Sequence, residues 1–343
     1  MRAAILSGDK LVIKEVPKPA PGYEEALIKL TVAGVCHSDV HIVKRDWWKL
    51  PSSVEIPIGH EGIGTVEELG PGADKFVQKG DRVILGLGGF AGAYWCGACE
   101  YCLSGRPRLC RLQRPLSGTY AEYVSVWAKA LVKLPAEVSN NEVSLACGGL
   151  TTYSAIKKLF KYGVTPGKVL AIVGAAGGLG HYAVQIAKQF GYIVVGVDIG
   201  KERLDFVKSM GADYAVDASE AAQFAREKLG GAHASIVLSP KLAGFELGLA
   251  LLRRGGVFIG VGMPAASEGG FTLMPLDVLS RDLLIMSSGA GTVDEMKELV
   301  ELAAAGKVTS HVAKVATLEQ APEILEELEQ GKYTGRAILR ISD

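Results

Sequence analysis

The sequence predicts an α/β protein of two domains: a β-rich one, and one built on a doubly wound parallel sheet. Three observations predict it. The chain has 343 residues, enough for two cores. Residues 1 to about 147 carry short strand-like runs broken by Pro and Gly, with no long amphipathic helix pattern. From about residue 148 strand-like runs alternate with helical ones, the texture of a parallel sheet covered by helices.

In the first segment, residues 3–6, 11–13 and 26–30 read as strands, with Pro17, Pro19, Pro21 and Gly22 between the last two. Residues 62–66 and 82–85 read the same way, and the whole suggests an irregular, barrel-like domain. In the second segment the expected strands are 168–173, 192–197, 213–216, 235–238, 256–262 and 283–287. Helical patterns fall at 179–190, 201–209, 219–229 and 243–253. After residue 289 come helices at 293–305 and 318–330 with a linker holding His311, then a strand at Arg336–Arg340 of first-domain character. The chain is therefore expected to re-enter its first domain, giving 1–147 with 289–343 as one domain and 148–288 as the other.

Composition narrows the function. Lys+Arg and Asp+Glu both number 37, so zero net charge argues against a general nucleic-acid or acidic-membrane binder. The N-terminus turns polar too soon for a signal peptide, and no run of about 18 uncharged apolar residues suggests a membrane span. A cytoplasmic enzyme is expected. Without a secretory signal, the six cysteines point to metal rather than to a disulfide framework.

Cys96, Cys99, Cys102 and Cys110 follow C-x2-C-x2-C-x7-C. Four thiolates would close a tetrahedral zinc site of formal charge −2, with no open position and a structural role. An iron–sulfur cluster or inert thiols are the alternatives. Cys36, His60 and Cys147 are scattered, but a Cys2His set would leave a fourth position open, as catalytic zinc requires. Glu61, beside His60, is an alternate ligand or a tuning charge. The competing reading makes Cys36 and Cys147 small buried apolar residues and His60 a satisfied core histidine.

Val173-Gly174-Ala175-Ala176-Gly177-Gly178-Leu179-Gly180 joins the first strand of the second domain to its first helix. Small residues let backbone approach a pyrophosphate at a helix N-terminus. Asp198, at the end of the next expected strand, suits the adenosine ribose hydroxyls and would repel a 2′-phosphate, favouring NAD over NADP. The turn is one residue longer than G-x-G-x-x-G.

Together, Cys36-His37-Ser38-Asp39-Val40-His41, Gly59-His60-Glu61-Gly62, the four-cysteine lobe, Ala146-Cys147-Gly148-Gly149-Leu150-Thr151 and the glycine-rich turn resemble the zinc-dependent alcohol dehydrogenases of the medium-chain dehydrogenase/reductase superfamily, microbial type. The resemblance covers essentially the whole chain. It implies a GroES-like catalytic domain, a Rossmann domain and an active site between them. It also implies two zinc ions, NAD, a small alcohol or carbonyl substrate, and a homotetramer or homodimer. Cys36, His60 and Cys147 would bind catalytic zinc. Ser38 would take the alcohol proton and pass it through the nicotinamide ribose to His41, and Asp39 would hold the far nitrogen of His60. His37 and Arg336 would contact cofactor phosphates, Thr151 would pack by the nicotinamide, and Arg203 would lie near the adenosine. Trp47 would line the substrate pocket, with Phe90 or Trp95 as a further wall. His181 reads as a helix-surface residue, His233 and His311 as structural or solvated, and Trp48 and Trp127 as packing. A polyol dehydrogenase, a carbonyl reductase and a non-catalytic zinc- and nucleotide-binding protein are the rival functions.

Overall fold

The computed structural model describes residues 1–47, 53–89 and 92–342, so Trp48 and Phe90 lie outside the described residues. The chain divides into two units, Met1–Leu150 with Ala290–Asp343, and Thr151–Gly289.

The first unit is organised on the eleven-residue strand Glu25–Val35. Its β-branched and aliphatic residues are buried almost throughout, because it pairs along its length with several strands. Gly62–Leu69 and Tyr123–Trp127 run antiparallel to it, and Arg336–Arg340 pairs antiparallel with its last residues, Ala337 opposite Val35. The C-terminal segment thus completes the N-terminal sheet. Arg82–Leu85 and Val132–Lys133 extend it on the far side. Leu30, Val35, Leu85, Tyr120, Ile324 and Leu339 share one apolar core. Each such fully buried side chain contributes about 1.5–3 kcal/mol from desolvation.

The region around His311 differs from the linker expected there. Val312–Thr317 is an edge strand, parallel to Arg336–Arg340. Its residues are mostly exposed or half-buried, so the strand forms through its neighbour's hydrogen bonds rather than through an apolar face. The helix that precedes this strand, Val293–Ala304, starts at a capping box: Thr292 Oγ1 accepts the Glu295 N–H and the Glu295 carboxylate accepts the Thr292 N–H.

In the second unit, six strands run parallel among the described residues. Their order is Tyr214–Asp217, Ile193–Asp198, Val169–Val173, Ala232–Val237, Leu252–Gly260 and Leu284–Ser287. The strand order reverses at Val169–Val173, which makes this a doubly wound sheet of Rossmann type. All five residues of that strand are buried, the continuous apolar run of a strand covered on both faces. The helix expected over 243–253 is Leu242–Ala250. Leu252 has already joined the sheet opposite Ala232, so strand pairing overrides helical periodicity there.

Candidate active site

Strand Glu25–Val35 delivers Cys36 to the start of the short helix His37–Val43. Asp39 folds back and accepts the Cys36 backbone N–H at 3.1 Å, while its own N–H donates to the Cys36 carbonyl. This local cap fixes the cysteine's direction. Asp39 is fully buried, so its carboxylate needs further donors. It finds His60 Nδ1–H at 3.0 Å and the Tyr120 hydroxyl at 3.0 Å. With Nδ1 so occupied, Nε2 is the His60 nitrogen left to face a metal.

Cys147 follows the 3₁₀ helix Asn140–Ala146 and precedes the helix Gly148–Leu159. Its sulfur lies 4.0 Å from that of Cys36. One ligand atom from each of Cys36, His60, Glu61 and Cys147 falls within 4.8 Å of the others, and all four residues are buried. Two thiolates about 2.3 Å from a shared tetrahedral zinc would sit roughly 3.8 Å apart, so the sulfur spacing fits. Glu61 is held from behind, with both carboxylate oxygens accepting from Arg336 Nη2. Gly34 makes room for it, since a Cβ there would collide with the Glu61 carboxylate.

The buried donors shift one another's proton affinities. The hydrogen bond from Cys147, then the His60 ring, hold Cys36 well below the usual thiol range. Cys147 is pushed well up by the same contact and by burial. Burial alone would lower His60, but the Asp39 carboxylate outweighs it and holds the ring well above its ordinary value. Burial pushes Glu61 up to about 7 against the pull of Arg336. Burial and Asp39 together keep the Tyr120 hydroxyl protonated as a donor.

Ser38 Oγ lies 3.3 Å from the Cys36 sulfur. His41 is buried three residues further along, its Nδ1 2.7 Å from Asp46 Oδ2 and its ring stacked 4.4 Å from Trp47. His37 lies 5.0 Å from the His41 ring. Arg336, expected on cofactor phosphates, is only 3% exposed and its guanidinium serves Glu61. A buried carboxylate demands a nearby cation, and strand Arg336–Arg340 places one there. Asp46 and Tyr120 were missed by sequence reasoning. Asp46 lies past the end of its helix, outside helical spacing, and Tyr120 is 81 residues from Asp39.

The other cluster is local. Cys99 and Cys102 sulfurs are 3.5 Å apart, as are those of Cys96 and Cys110, and Cys96 lies 3.9 Å from Cys102. All six cysteines of the chain are free thiols, which removes a disulfide framework. Backbone N–H groups of Ala98 and Cys99 draw Cys96 down to about 6, whereas burial and Cys99 push Cys102 up to about 12. A divalent cation would allow all four to ionise. Trp95 and Trp127 pack edge to face beside this lobe, at 4.8 Å.

In the second unit the glycine-rich turn closes over the end of strand Val169–Val173 and opens helix Gly180–Gln189. Gly174 has φ +83°, and a Cβ on Gly180 would collide with backbone of Gly174 and Ala175, so the helix start packs directly on the turn. Asp198 ends its strand and accepts the Ala176 and Ile199 N–H groups at 2.8 and 2.9 Å; Arg203 Nη1 is 3.5 Å from its carboxylate. Thr151 is buried in the first turn of helix Gly148–Leu159. His181 is fully buried against Tyr182 rather than on a helix surface, because the first turn of its helix is sunk against the sheet. His233 Nδ1 accepts the Val169 N–H, a structural role.

Residues 22–136 match the alcohol dehydrogenase GroES-like domain, and residues 178–305 match the zinc-binding dehydrogenase domain. An alcohol dehydrogenase of Geobacillus stearothermophilus is 39% identical over 99% of this chain and 100% of its own length. The chain belongs to the zinc-binding alcohol dehydrogenase family of the medium-chain dehydrogenase/reductase superfamily. Solved members of that family superpose throughout. The alcohol dehydrogenase of Aeropyrum pernix is similar with a TM-score of 0.88 at 32% identity, covering 99% of this chain and 100% of its own. An NAD-dependent alcohol dehydrogenase is similar with a TM-score of 0.88 at 29% identity, covering all of both chains. The expected family and its GroES-like and Rossmann folds are thus both found. No helix of the described residues is long and apolar enough to cross a membrane.

Proposed function

We propose that this protein catalyses the reversible, NAD-linked oxidation of primary or secondary alcohols to aldehydes or ketones. Cys36, His60 and Cys147 hold a catalytic zinc, with Glu61 as alternate ligand, and Cys96, Cys99, Cys102 and Cys110 hold a structural one. The observation that carries this reading is the three-residue donor set itself. Its sulfurs are 4.0 Å apart, and its imidazole is turned by Asp39 to offer Nε2. When bound, zinc supplies Lewis acidity toward the alcohol oxygen and NAD⁺ supplies the hydride acceptor.

The chain's own residues do the rest. Ser38, next to the Cys36 sulfur, accepts the proton that the alcohol releases, and His41 is the acceptor at the end of the relay. Asp39 and Tyr120 hold His60, and Arg336 pairs with the buried Glu61 carboxylate. Trp47, stacked on His41, gives an apolar wall to the alcohol's carbon substituent. Asp198 takes the adenosine ribose hydroxyls, flanked by Arg203, and backbone of residues 174–180 takes the pyrophosphate. His37 reaches the phosphates and Thr151 packs by the nicotinamide.

Self-association is part of this reading. Strand Leu284–Ser287 ends its sheet, and Leu276 and Leu279 of the preceding helix are 76% and 81% exposed. A second copy laid along this edge would extend the sheet and cover both leucines. The test of the activity is NADH formation with ethanol, butanol, benzyl alcohol and cyclohexanol. Turnover with at least one of them, abolished by a zinc chelator and restored by zinc, is the expected result; NADH binding without turnover on any alcohol or carbonyl sinks it.

A further inference from the structure

We propose that Asp46 is a positioning residue for His41, fixing which imidazole nitrogen receives the proton. The proposal rests on the reading of His41 as the relay's acceptor. A carboxylate accepts hydrogen bonds and does not donate them when ionised, so the 2.7 Å contact from Asp46 Oδ2 places the ring hydrogen on His41 Nδ1. The lone pair is then on Nε2, which is buried and has no hydrogen-bond partner among the described residues. A buried nitrogen with a free lone pair is an acceptor held in readiness. When a proton arrives at Nε2, the resulting imidazolium keeps its Nδ1–H on Asp46. In the reverse direction, carbonyl reduction, Nε2 gives that proton back into the relay, and the ring returns to its starting tautomer with Nδ1–H still on Asp46. The arrangement has the logic of a histidine oriented by a carboxylate in a hydrolytic triad, reached on an unrelated fold.

Among the described residues, the neighbours of Asp46 have partners of their own. The backbone turn at the end of helix His37–Val43 is closed by the Asp46 N–H donating to the His41 carbonyl at 3.0 Å, so the side chain is not needed to cap it. Lys44 pairs with Glu329, and Arg45 reaches the Gly8 carbonyl and Asp9. Among the described residues, the titratable groups facing the His41 ring are Asp46 on one side and His37 at 5.0 Å, while Trp47 stacks on a face of the ring at 4.4 Å. The Asp46 side chain is 24% exposed and that of His41 7%, so the carboxylate is the more open of the two to solvent.

The experiment reads the tautomer directly. The chain has six histidines, so ¹⁵N-histidine labelling gives a resolvable imidazole spectrum, with His41 assigned by its loss in His41→Gln. At alkaline pH the wild type is expected to show a protonated Nδ1 and a bare Nε2 at His41. Asp46→Ala should lose that preference, lower kcat between tenfold and 100-fold, at the low end of what a positioned base contributes, and leave NADH affinity unchanged. Added imidazole should rescue Asp46→Ala more than wild type, and Asp46→Glu should restore most of kcat. A wild-type His41 protonated at Nε2 overturns the proposal, as does an Asp46→Ala protein with unaltered tautomer and kcat. Should the alanine variant fail to fold, Asp46→Leu, which fills the space but cannot accept the Nδ1–H, is read by the same spectrum and kcat, against the same two outcomes. A fixed Nδ1 proton in a protein that oxidises no alcohol would leave the positioning intact and remove the relay reading instead.

Discussion

Two clusters of cysteines lie in one unit of this protein, and they are built in opposite ways. The four-cysteine cluster draws on fifteen consecutive residues, and three of its four members are half-exposed. Local turns place its sulfurs, and a cation would have to hold them together. The Cys36–His60–Cys147 cluster draws on three distant segments and is buried throughout. There the fold places the donors first: a long strand aims Cys36, a carboxylate with three donors aims His60, and an arginine neutralises Glu61. On the proposed reading, the difference teaches that a metal which must hold a lobe together would be given all its ligands, whereas one that must leave a position open would have its geometry supplied by protein hydrogen bonds instead.

The largest effect expected from breaking this contrast is on turnover. Cys36→Ala should reduce kcat by about 10⁴-fold or more, while NADH titration and circular dichroism remain those of wild type, because the Asp39 bond that fixes this corner uses the Cys36 backbone N–H rather than its sulfur. A substantial residual rate would mean that Cys36 is not a ligand of the reacting metal.

Cys99→Ala should fall on stability instead. The lobe would lose its cation and with it roughly 3 kcal/mol of local ordering, lowering Tm by about 5–10 °C, whereas kcat per folded molecule changes little. Differential scanning calorimetry beside active-site titration checks both halves. A pure loss of kcat at unchanged Tm would reverse the roles assigned to the two clusters.

Tyr120→Phe sharpens the comparison without touching a ligand. It removes one of three donors to Asp39, so zinc should leave to a competing chelator roughly tenfold faster from the buried centre, and at an unchanged rate from the four-cysteine lobe. Equal acceleration at both would point to general loosening of the fold.

The smallest effect is one of pH. Glu142 precedes Cys147 on the 3₁₀ helix, and burial pushes its carboxyl above the ordinary value of 4.5, opposed by Ser310, which donates both its N–H and its hydroxyl. A carboxyl raised on folding binds its proton more tightly in the native state. Stability therefore declines as pH rises from 4.5 to the raised folded value, and stays lower above it. Glu142→Gln should flatten that part of the curve of urea midpoint against pH. An unaltered slope would show that Glu142 ionises no differently when the protein unfolds.

What could be read from sequence, and what could not, follows the same division. The four-cysteine spacing and the glycine-rich turn are contiguous, so their chemistry was visible in the residues themselves. The strand Val169–Val173 was legible because burial on both faces leaves an unbroken apolar run. The edge strand Val312–Thr317 was not, since its pairing partner rather than its own pattern makes it a strand. Cys36, His60 and Cys147 were found through family resemblance, with the residues alone leaving the core-packing alternative open. Asp46, Tyr120 and the Glu61–Arg336 pair needed coordinates, because each depends on a contact that no sequence period encodes. His181 misled for a related reason: one polar residue in a helix start carries no mark of which face is buried.

The claim at the centre is that one open and one closed zinc site exist, each held by the residues named. Metal content by mass spectrometry on wild type, Cys36→Ala and Cys99→Ala measures it most directly. The account predicts two zinc per chain in wild type and one in each variant, with the Cys36→Ala protein folded and inactive. A Cys36→Ala protein that still carries two zinc ions, or a wild type that is fully active with one, would contradict it.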